Sequence, residues 1–256
     1  MKQIVLIKTG GKVAVEGPEL NSLIDEIKSL STNFSFILVH GGGAEVTAES
    51  KIHGLEAQFV NGIRMTTSDE MEIVDSILAG KINKRLVRLF NAKGVTAVGI
   101  SGNDGLIFTG ESIDANGDNR TGKVTDGNPK LLSLLLNNEF IPIISSVSMD
   151  SKGYPLNINA DEVALAVAKE LKADMVIFIS DIPGILKDNQ VIPKIDRRNL
   201  DKEIESGVIS GGMIPKVNSS VEALNSGVKK VVISNYIEDG DLLKLINSQK
   251  GSLITE

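Results

Sequence analysis

Two lysines stand where lysine is unusual. Lys8 ends an otherwise apolar run, Gln3–Ile7, and abuts Gly10-Gly11. Lys216 follows Gly211-Gly212-Met213-Ile214-Pro215, in what reads as the first turn of a helix. A cation there opposes the helix dipole, so an anion is expected to meet it. Two lysines converging on one phosphoryl group would neutralise the charge that develops as it is transferred. Asp161 lies at another helix start, in Asn157-Ile158-Asn159-Ala160-Asp161, where a carboxylate can orient both lysines. Arg64, in Asn61-Gly62-Ile63-Arg64, offers a bidentate fork for a substrate carboxylate. Each residue also has an ordinary use: a solvated lysine, a helix-cap acid, a surface arginine.

Glycine placement adds to the pattern. Five loops are marked by it: Lys8-Thr9-Gly10-Gly11, His40-Gly41-Gly42-Gly43, Ser101-Gly102-Asn103-Asp104-Gly105, Ser180-Asp181-Ile182-Pro183-Gly184 and Gly211-Gly212. Four follow apolar runs and the fifth precedes a helical pattern. Without a Cβ, backbone N–H groups can close on an anion, and such loops gather at the carboxyl ends of strands in open α/β sheets. Together they suggest a multiply charged ligand such as a nucleotide. Tight βα turns are the plainer reading of any one of them. The nucleotide system is not a standard one. After Gly41 and Gly43 the sixth position is Val46, which fails the dinucleotide fingerprint, and Gly122-Lys123 is followed by Val124, which fails the P-loop.

Composition narrows the chemistry. Among 256 residues there is no cysteine, which excludes disulfides, thiolate catalysis and Cys-ligated metals, and the two histidines, His40 and His53, are too few for a His-rich centre. Apolar residues make up 41%, enough for a large core. A net charge of −6 argues against nucleic acid or an anionic membrane as partner. No apolar run approaches the ~18 residues of a membrane span, and the apolar start is too short for a signal peptide. The expected compartment is the cytoplasm.

The elements that must position these residues are legible as periodicities. Short β-branched runs at Gln3–Ile7, Phe34–Val39, Val95–Ile100, Phe140–Ile144, Met175–Ser180 and Lys230–Ile233 read as strands buried on both faces. Helical patterns lie between them: Pro18–Leu30, Thr67–Phe90 with a Thr67/Glu70 capping box, a helix capped by Asn128 with Pro129 in its first turn, Asn159–Leu171, and Met213–Asn225. The alternation predicts an α/β three-layer α/β/α sandwich on a mainly parallel sheet. Phe108–Gly127 is polar and Gly-rich and reads as a loop or hairpin excursion, a lid or a plain surface hairpin. A boundary near residue 173 divides the chain into 1–172 and 173–256.

The ordered set of motifs resembles the amino acid kinase family, and within it the branch acting on acylated glutamate. The matching pieces run from Ile7-Lys8-Thr9-Gly10-Gly11 and Leu38-Val39-His40-Gly41-Gly42-Gly43 through Asn61–Arg64, Leu78-Ala79-Gly80 with Asn83-Lys84, and Val98–Gly102. They end with Asn157–Asp161, Ser180–Leu186 and Gly211–Lys216, so nearly the whole chain is covered. The resemblance implies two lobes: 1–172 for the acceptor and dimer contacts, 173–256 for ATP. The implied reaction passes a phosphoryl group from ATP, carried with Mg2+, to the γ-carboxylate of an N-acyl-L-glutamate, in arginine biosynthesis.

By motif, Lys8 and Lys216 would stabilise the transferring group and Asp161 would hold the lysines. Gly10, Gly11, Gly42 and Gly43 would present N–H groups to phosphate and acceptor. Arg64 and Asn157 would hold the α-carboxylate and acyl-amide region. Asp181, Ile182, Pro183, Gly184, Ile185, Leu186, Ile209, Ser210 and Gly211 would line the nucleotide site. The closeness of Lys8 to the N-terminus implies an arginine-insensitive homodimer, and the stop near Ile254 disfavours a branch with an appended regulatory domain. The segment Phe108–Gly127, which contains Asn119–Val124, departs from the usual lid, which keeps a succinylated or carrier-linked acceptor open. A sister kinase of another acceptor and a non-catalytic nucleotide-binding regulator are the other competing readings.

Overall fold

A computed structural model describes residues 2–10, 13, 15–60, 62–114, 118–198, 200, 204, 209 and 213–255, with the side chains of 213–216 left aside. Along the first half run β1 (Gln3–Thr9), α1 (Pro18–Leu30), β2 (Phe34–His40), α2 (Gly43–Ile52), β3 (Gln58–Val60), β4 (Ile63–Met65) and α3 (Ser68–Asp75). A π-helical turn, Ser76–Ile82, joins α3 to α4 (Asn83–Ala92). Next come β5 (Ala97–Ile100), β6 (Phe108–Ser112), β7 (Thr121–Gly127), α5 (Lys130–Asn137), β8 (Ile141–Ser145), β9 (Val147–Met149) and β10 (Pro155–Ile158). The rest comprises α6 (Ala160–Leu171), β11 (Met175–Ile179), β12 (Leu186–Lys187), β13 (Gln190–Val191), β14 (Lys194–Asp196), α7 (Met213–Asn225), β15 (Lys230–Ser234), α8 (Asp241–Ile246) and β16 (Ser252–Thr255).

The apolar runs assemble as expected into one sheet of eight strands, in the order β14-β16-β15-β11-β1-β2-β8-β5. Six of them, β15 to β5 in that order, are mutually parallel, while β16 turns antiparallel to β15 and carries β14 with it. Strand residues alternate between two apolar layers. Val5 and Ile7 face α1 and α4, while Leu6, Ile37 and Val39 face α6 and α7. Helices on both faces make the three-layer α/β/α sandwich. The sheet is continuous across residue 173, because β1 pairs with β11 from Val5↔Met175 to Lys8↔Phe178.

Local signals explain several helix ends. Pro18 opens α1, and Thr67 caps α3 by accepting from Glu70 N at 3.2 Å. Asn159 caps α6 by accepting from Asp161 N at 2.8 Å, a device worth about 1 kcal/mol. At α5 the cap falls one residue later than expected: Pro129 is the cap residue, and Asn128 accepts from Lys130 N. The pattern Thr67–Phe90 is one long helical stretch, interrupted by the π turn that the 3.6-residue period does not reveal.

Phe108–Gly127 takes the hairpin form of the two readings and lies off the main sheet. Its described residues form an antiparallel hairpin, β6 with β7, inside a second sheet of order β6-β7-β10-β9. Its glycines answer to packing. A Cβ on Gly110 would lie 2.5 Å from Lys123 O, and one on Gly122 would lie 3.0 Å from Leu156 Cδ1. No helix among the described residues is long and apolar enough to cross a membrane.

Candidate active site

The carboxyl ends of β1, β2, β10 and β11 open on one cleft of about 620 Å3, a size common for small-molecule sites. Lys8 leaves β1 at its floor. Its Nζ lies 2.6 Å from Asp161 Oδ1, with both side chains 13% exposed. Nζ also leans over Gly10, where a Cβ would sit 3.4 Å away. The pair holds a cation at the bottom of a half-closed cleft, aimed by a carboxylate fixed in the first turn of α6.

Two helix N-termini face the same space. α2 begins at Gly43 after Gly42, and α6 begins at Ala160 after Asn159, and all four residues line the cleft. Their N–H groups and dipoles favour an anion between them. Gly42 cannot be replaced without repacking, because a Cβ would lie 2.2 Å from Ile82 Cδ1 and 2.8 Å from Leu78 Cδ2 of the π turn. At Gly43 a Cβ would meet nothing, so that backbone faces open cleft.

Arg64 forms the far wall and is 8% exposed. Its Nη1 donates to Glu70 Oε1 at 2.7 Å, and its Nη2 donates to Gly43 O at 3.1 Å and to Thr47 Oγ1. The guanidinium lies 4.9 Å from the centre of the Phe59 ring. A hydrogen-bonded chain ties this wall to the second sheet. Thr121 Oγ1 donates to Arg64 O and accepts from Thr66 N, both at 2.8 Å, and Asn157 Nδ2 donates to Thr66 Oγ1 at 2.8 Å. A cationic wall and two helix N-termini can hold two anions close together. The ion pair at Lys8 can steady the charge passing between them.

The amino acid kinase family model matches residues 3–235. The chain belongs to the amino acid kinase family. Among its relatives, the acetylglutamate kinase of a Nostoc species is 40% identical over 247 residues, covering 94% of this chain and 83% of that one. The acetylglutamate kinase of a Geobacillus species is 36% identical, covering 94% and 95%. The crystal structure of smu.665 from Streptococcus mutans superposes with a TM-score of 0.83 at 29% identity, covering 100% of this chain and 99% of that one.

In this kinase fold the residues read from the sequence or implied by its resemblance do not all line one cleft. Lys8, Gly10, Gly42, Gly43, Arg64, Asn157, Asp161 and Asp181 line one cleft. Ile182, Pro183, Gly184, Ile185, Leu186 and Ile209 lie outside it. Ile185 and Ile209 are buried in the apolar layer beside α7, and the Ile185 backbone is occupied, donating to Ser252 Oγ and accepting from Ile192 N, both at 2.8 Å. Gly184 turns the chain there at φ +149°. Gly11, Ser210, Gly211 and the side chain of Lys216 lie outside the described residues; the backbone of Lys216 is in the first turn of α7.

Two residues of the wall carry no sequence signal of their partnership with Arg64. Glu70 reads locally as the second half of a capping box, yet its carboxylate accepts from Arg64 and from Ser50 Oγ at 3.0 Å instead. Thr47 is a helix-surface position until Arg64 folds against it. Glu45, also on α2, is held below the usual carboxylate range by the hydrogen bond from Arg85, against the opposing effect of burial.

Proposed function

We propose that this chain transfers the γ-phosphoryl group of Mg-ATP to the γ-carboxylate of N-acetyl-L-glutamate. The carrying observation is Lys8, locked to Asp161 at the floor of a cleft rimmed by two helix N-termini and closed by Arg64. The acetylglutamate kinase relatives supply the acceptor.

The acceptor is ionised at pH 7, so it attacks phosphorus without losing a proton. A carboxylate oxygen bonds to Pγ, the bond from Pγ to the β,γ-bridging oxygen breaks, and ADP leaves with the electron pair. The barrier lies in bringing two anions into line, which positive charge and oriented N–H groups lower. Lys8 meets the transferring group from one side and Lys216, from α7, meets it from the other. Asp161 fixes Lys8. The Gly42 and Gly43 N–H groups receive the phosphoryl and acceptor oxygens, while Arg64 and Asn157 hold the α-carboxylate and the acyl amide. The magnesium ion enters as part of the nucleotide substrate.

In this reading residues 1–172 hold the acceptor and 173–256 the nucleotide. The adenosine half extends from Asp181 along the 182–186 loop toward Ile209. The enzyme works in the cytoplasm, where its nucleotide is. It is a homodimer through the acceptor half, where the large sheet ends at β5 with no outer strand partner among the described residues. Light scattering at twice the chain mass checks the last point.

An acyl-phosphate trap tests the reaction. Protein, Mg-ATP and hydroxylamine are mixed with N-acetyl-L-glutamate, N-succinyl-L-glutamate, glutamate, aspartate or uridine monophosphate in separate wells. Hydroxamate with N-acetyl-L-glutamate alone supports the assignment. Hydroxamate with the succinyl compound alone moves the acyl group, and ADP without hydroxamate points to a phosphate acceptor.

A further inference from the structure

His40 takes no part in the chemistry above, yet it is fully buried at the end of the strand that carries the glycine loop. Its ring nitrogens are both engaged. Nδ1 lies 2.9 Å from Gly41 O, and Nε2 lies 3.1 Å from Asn83 Nδ2. A carbonyl only accepts, so Nδ1 carries the proton. The Asn83 amide has a fixed orientation too. Its Nδ2 also donates to Ile143 O at 2.9 Å, and its Oδ1 accepts from Lys84 Nζ at 3.1 Å. Turning the amide over would set oxygen against the Ile143 carbonyl and nitrogen against the ammonium. Nε2 is therefore bare and accepts.

The arrangement reaches further into the fold. Asn83 has room only because residue 99 is glycine: a Cβ there would lie 2.1 Å from Asn83 Oδ1. Lys84 Nζ donates to Gly99 O at 2.8 Å, and Gly99 pairs with Ile143 across β5 and β8. Thus two motifs with no direct contact to the cleft, Asn83-Lys84 and Gly99, act on one imidazole.

That imidazole acts on one peptide. In a trans peptide the C=O and the next N–H point in opposite directions, and no described peptide is cis. Gly41 O is drawn to the buried ring, so the Gly42 N–H of the same peptide points away from it, toward the cleft that Gly42 lines. Leu78 and Ile82 press on Gly42 from the π turn that leads directly into Asn83. π turns recur at functional sites, and this one presses on Gly42 by apolar contact while Asn83, the residue after it, bonds the His40 ring.

We propose that His40 and Asn83 are positioning residues for phosphoryl transfer, which aim the Gly42 N–H at the reacting group by holding the Gly41–Gly42 peptide and touch neither substrate. The proposal rests on the function assigned above. Its test separates the two ring contacts. His40→Gln sets an acceptor near Asn83 but no donor at Gly41 O, while His40→Asn keeps a donor near Gly41 O and leaves Asn83 Nδ2 short of a partner. Losing a transition-state donor outright costs about 10²–10³ in kcat, and misplacing one costs about 10².

The expected result is a kcat about 10- to 100-fold lower for His40→Gln, with both KM values within about threefold of the unsubstituted protein. His40→Asn should lose clearly less. Gly99→Ala, outside the cleft, should lower kcat at unchanged KM by displacing Asn83, by less than His40→Gln does. Equal losses in the Gln and Asn variants, or wild-type kcat in a folded Gln variant, would overturn the proposal.

A second measurement does not depend on the reaction. In glycine-labelled protein the Gly42 amide resonance should move in His40→Gln and stay near its place in His40→Asn. With only two histidines, of which His53 is exposed, imidazole nitrogen spectra of the unsubstituted protein should show His40 as the neutral Nδ1–H tautomer. An unmoved Gly42 amide, or the other tautomer, refutes the positioning role even if the trap assay finds a different acceptor. Failure of the unsubstituted protein in the trap assay, with the Gly42 amide still moving, refutes the assigned reaction instead.

Discussion

Acidification from neutral pH should destabilise this protein along the titration of His40, before most carboxylates are protonated. The group titrates near 6.5 when exposed and is pushed down to about 4 in the fold. Burial is the main cause. The Gly41 carbonyl opposes it, Arg85 and Lys84 on α4 add to it, and Glu45 on α2 opposes it. Because the folded value is the lower one, the unfolded chain takes up a proton at a pH where the folded ring stays neutral. Stability is therefore full above about pH 6.5 and declines toward pH 4, where the folded ring also begins to charge. The shift converts to a loss of about 2 kcal/mol at pH 5 and about 3 kcal/mol near pH 4. Urea unfolding of the unsubstituted protein and of His40→Gln at pH 7.5 and pH 5 measures it. The Gln variant is less stable at pH 7.5 but lacks this dependence, so the gap between the proteins should narrow by about 2 kcal/mol at pH 5. Working above pH 4.5 keeps clear of Glu45 and Asp174, whose carboxyls titrate below their ordinary range. His53 is present in both proteins and cancels. A gap that stays constant within about 0.5 kcal/mol between the two pH values refutes the argument that His40 is neutral by burial.

Lys8→Ala should lower kcat about 10²–10³-fold, or about 3–4 kcal/mol, and Lys8→Ala/Asp161→Asn should be hardly slower, since Asp161 acts through Lys8; additive losses in steady-state assays would give Asp161 its own role. Lys216→Ala should show a kcat loss of the same order, and near-normal turnover would remove that lysine from the mechanism. Arg64→Lys should raise the acceptor KM about 10-fold or more with a smaller change in kcat, because one ammonium cannot serve Glu70, Gly43 O and a substrate carboxylate together. Gly42→Ala should cost about 1–3 kcal/mol in urea unfolding through the clash with Ile82 Cδ1, and adding Ile82→Val, which removes that methyl, should recover part of it.

Legibility in the sequence followed the range of the interaction. Periodicity and a proline at the first turn located α1 at Pro18–Leu30, because both act within a few residues. Apolar runs located β1 with Lys8 at its end, and the pairing carries it one residue further, to Thr9↔His40. The kinase family and the cleft's main residues were legible because glycine loops at strand ends and fixed charges are local features. Glu70 was not, since its capping-box spacing is local whereas its partner Arg64 arrives by the folding of β4. The hairpin β6–β7 was legible as an excursion but its place in a second sheet was not, because Gly110 and Gly122 weigh as loop residues, when they are glycine to admit Lys123 O and Leu156. Ile185 stands in a Pro-Gly loop of the sequence, and its burial in the apolar layer beside α7 depends on distant residues. The π turn leaves Leu78 and Ile82 at an ordinary helical spacing, so only the backbone reveals it.

The charges of the cleft argue for the kind of acceptor as well as for the reaction. A hydroxyl acceptor must lose its proton, and a general base near the transferring group would serve it. Of the cleft's carboxylates, Asp161 is bound to Lys8 at 2.6 Å and Glu45 is bound by Arg85, which holds it below the usual carboxylate range, while Asp181 stands at the end of β11. The imidazole of His40 is turned inward, with both nitrogens used. Asp161, Glu45 and His40 are arranged to hold cations and backbone in place rather than to take up a proton. A cleft so arranged suits an acceptor that arrives already ionised, for which the work left to the protein is to bring like charges together. Arg64, Lys8 and two helix N-termini are suited to that work.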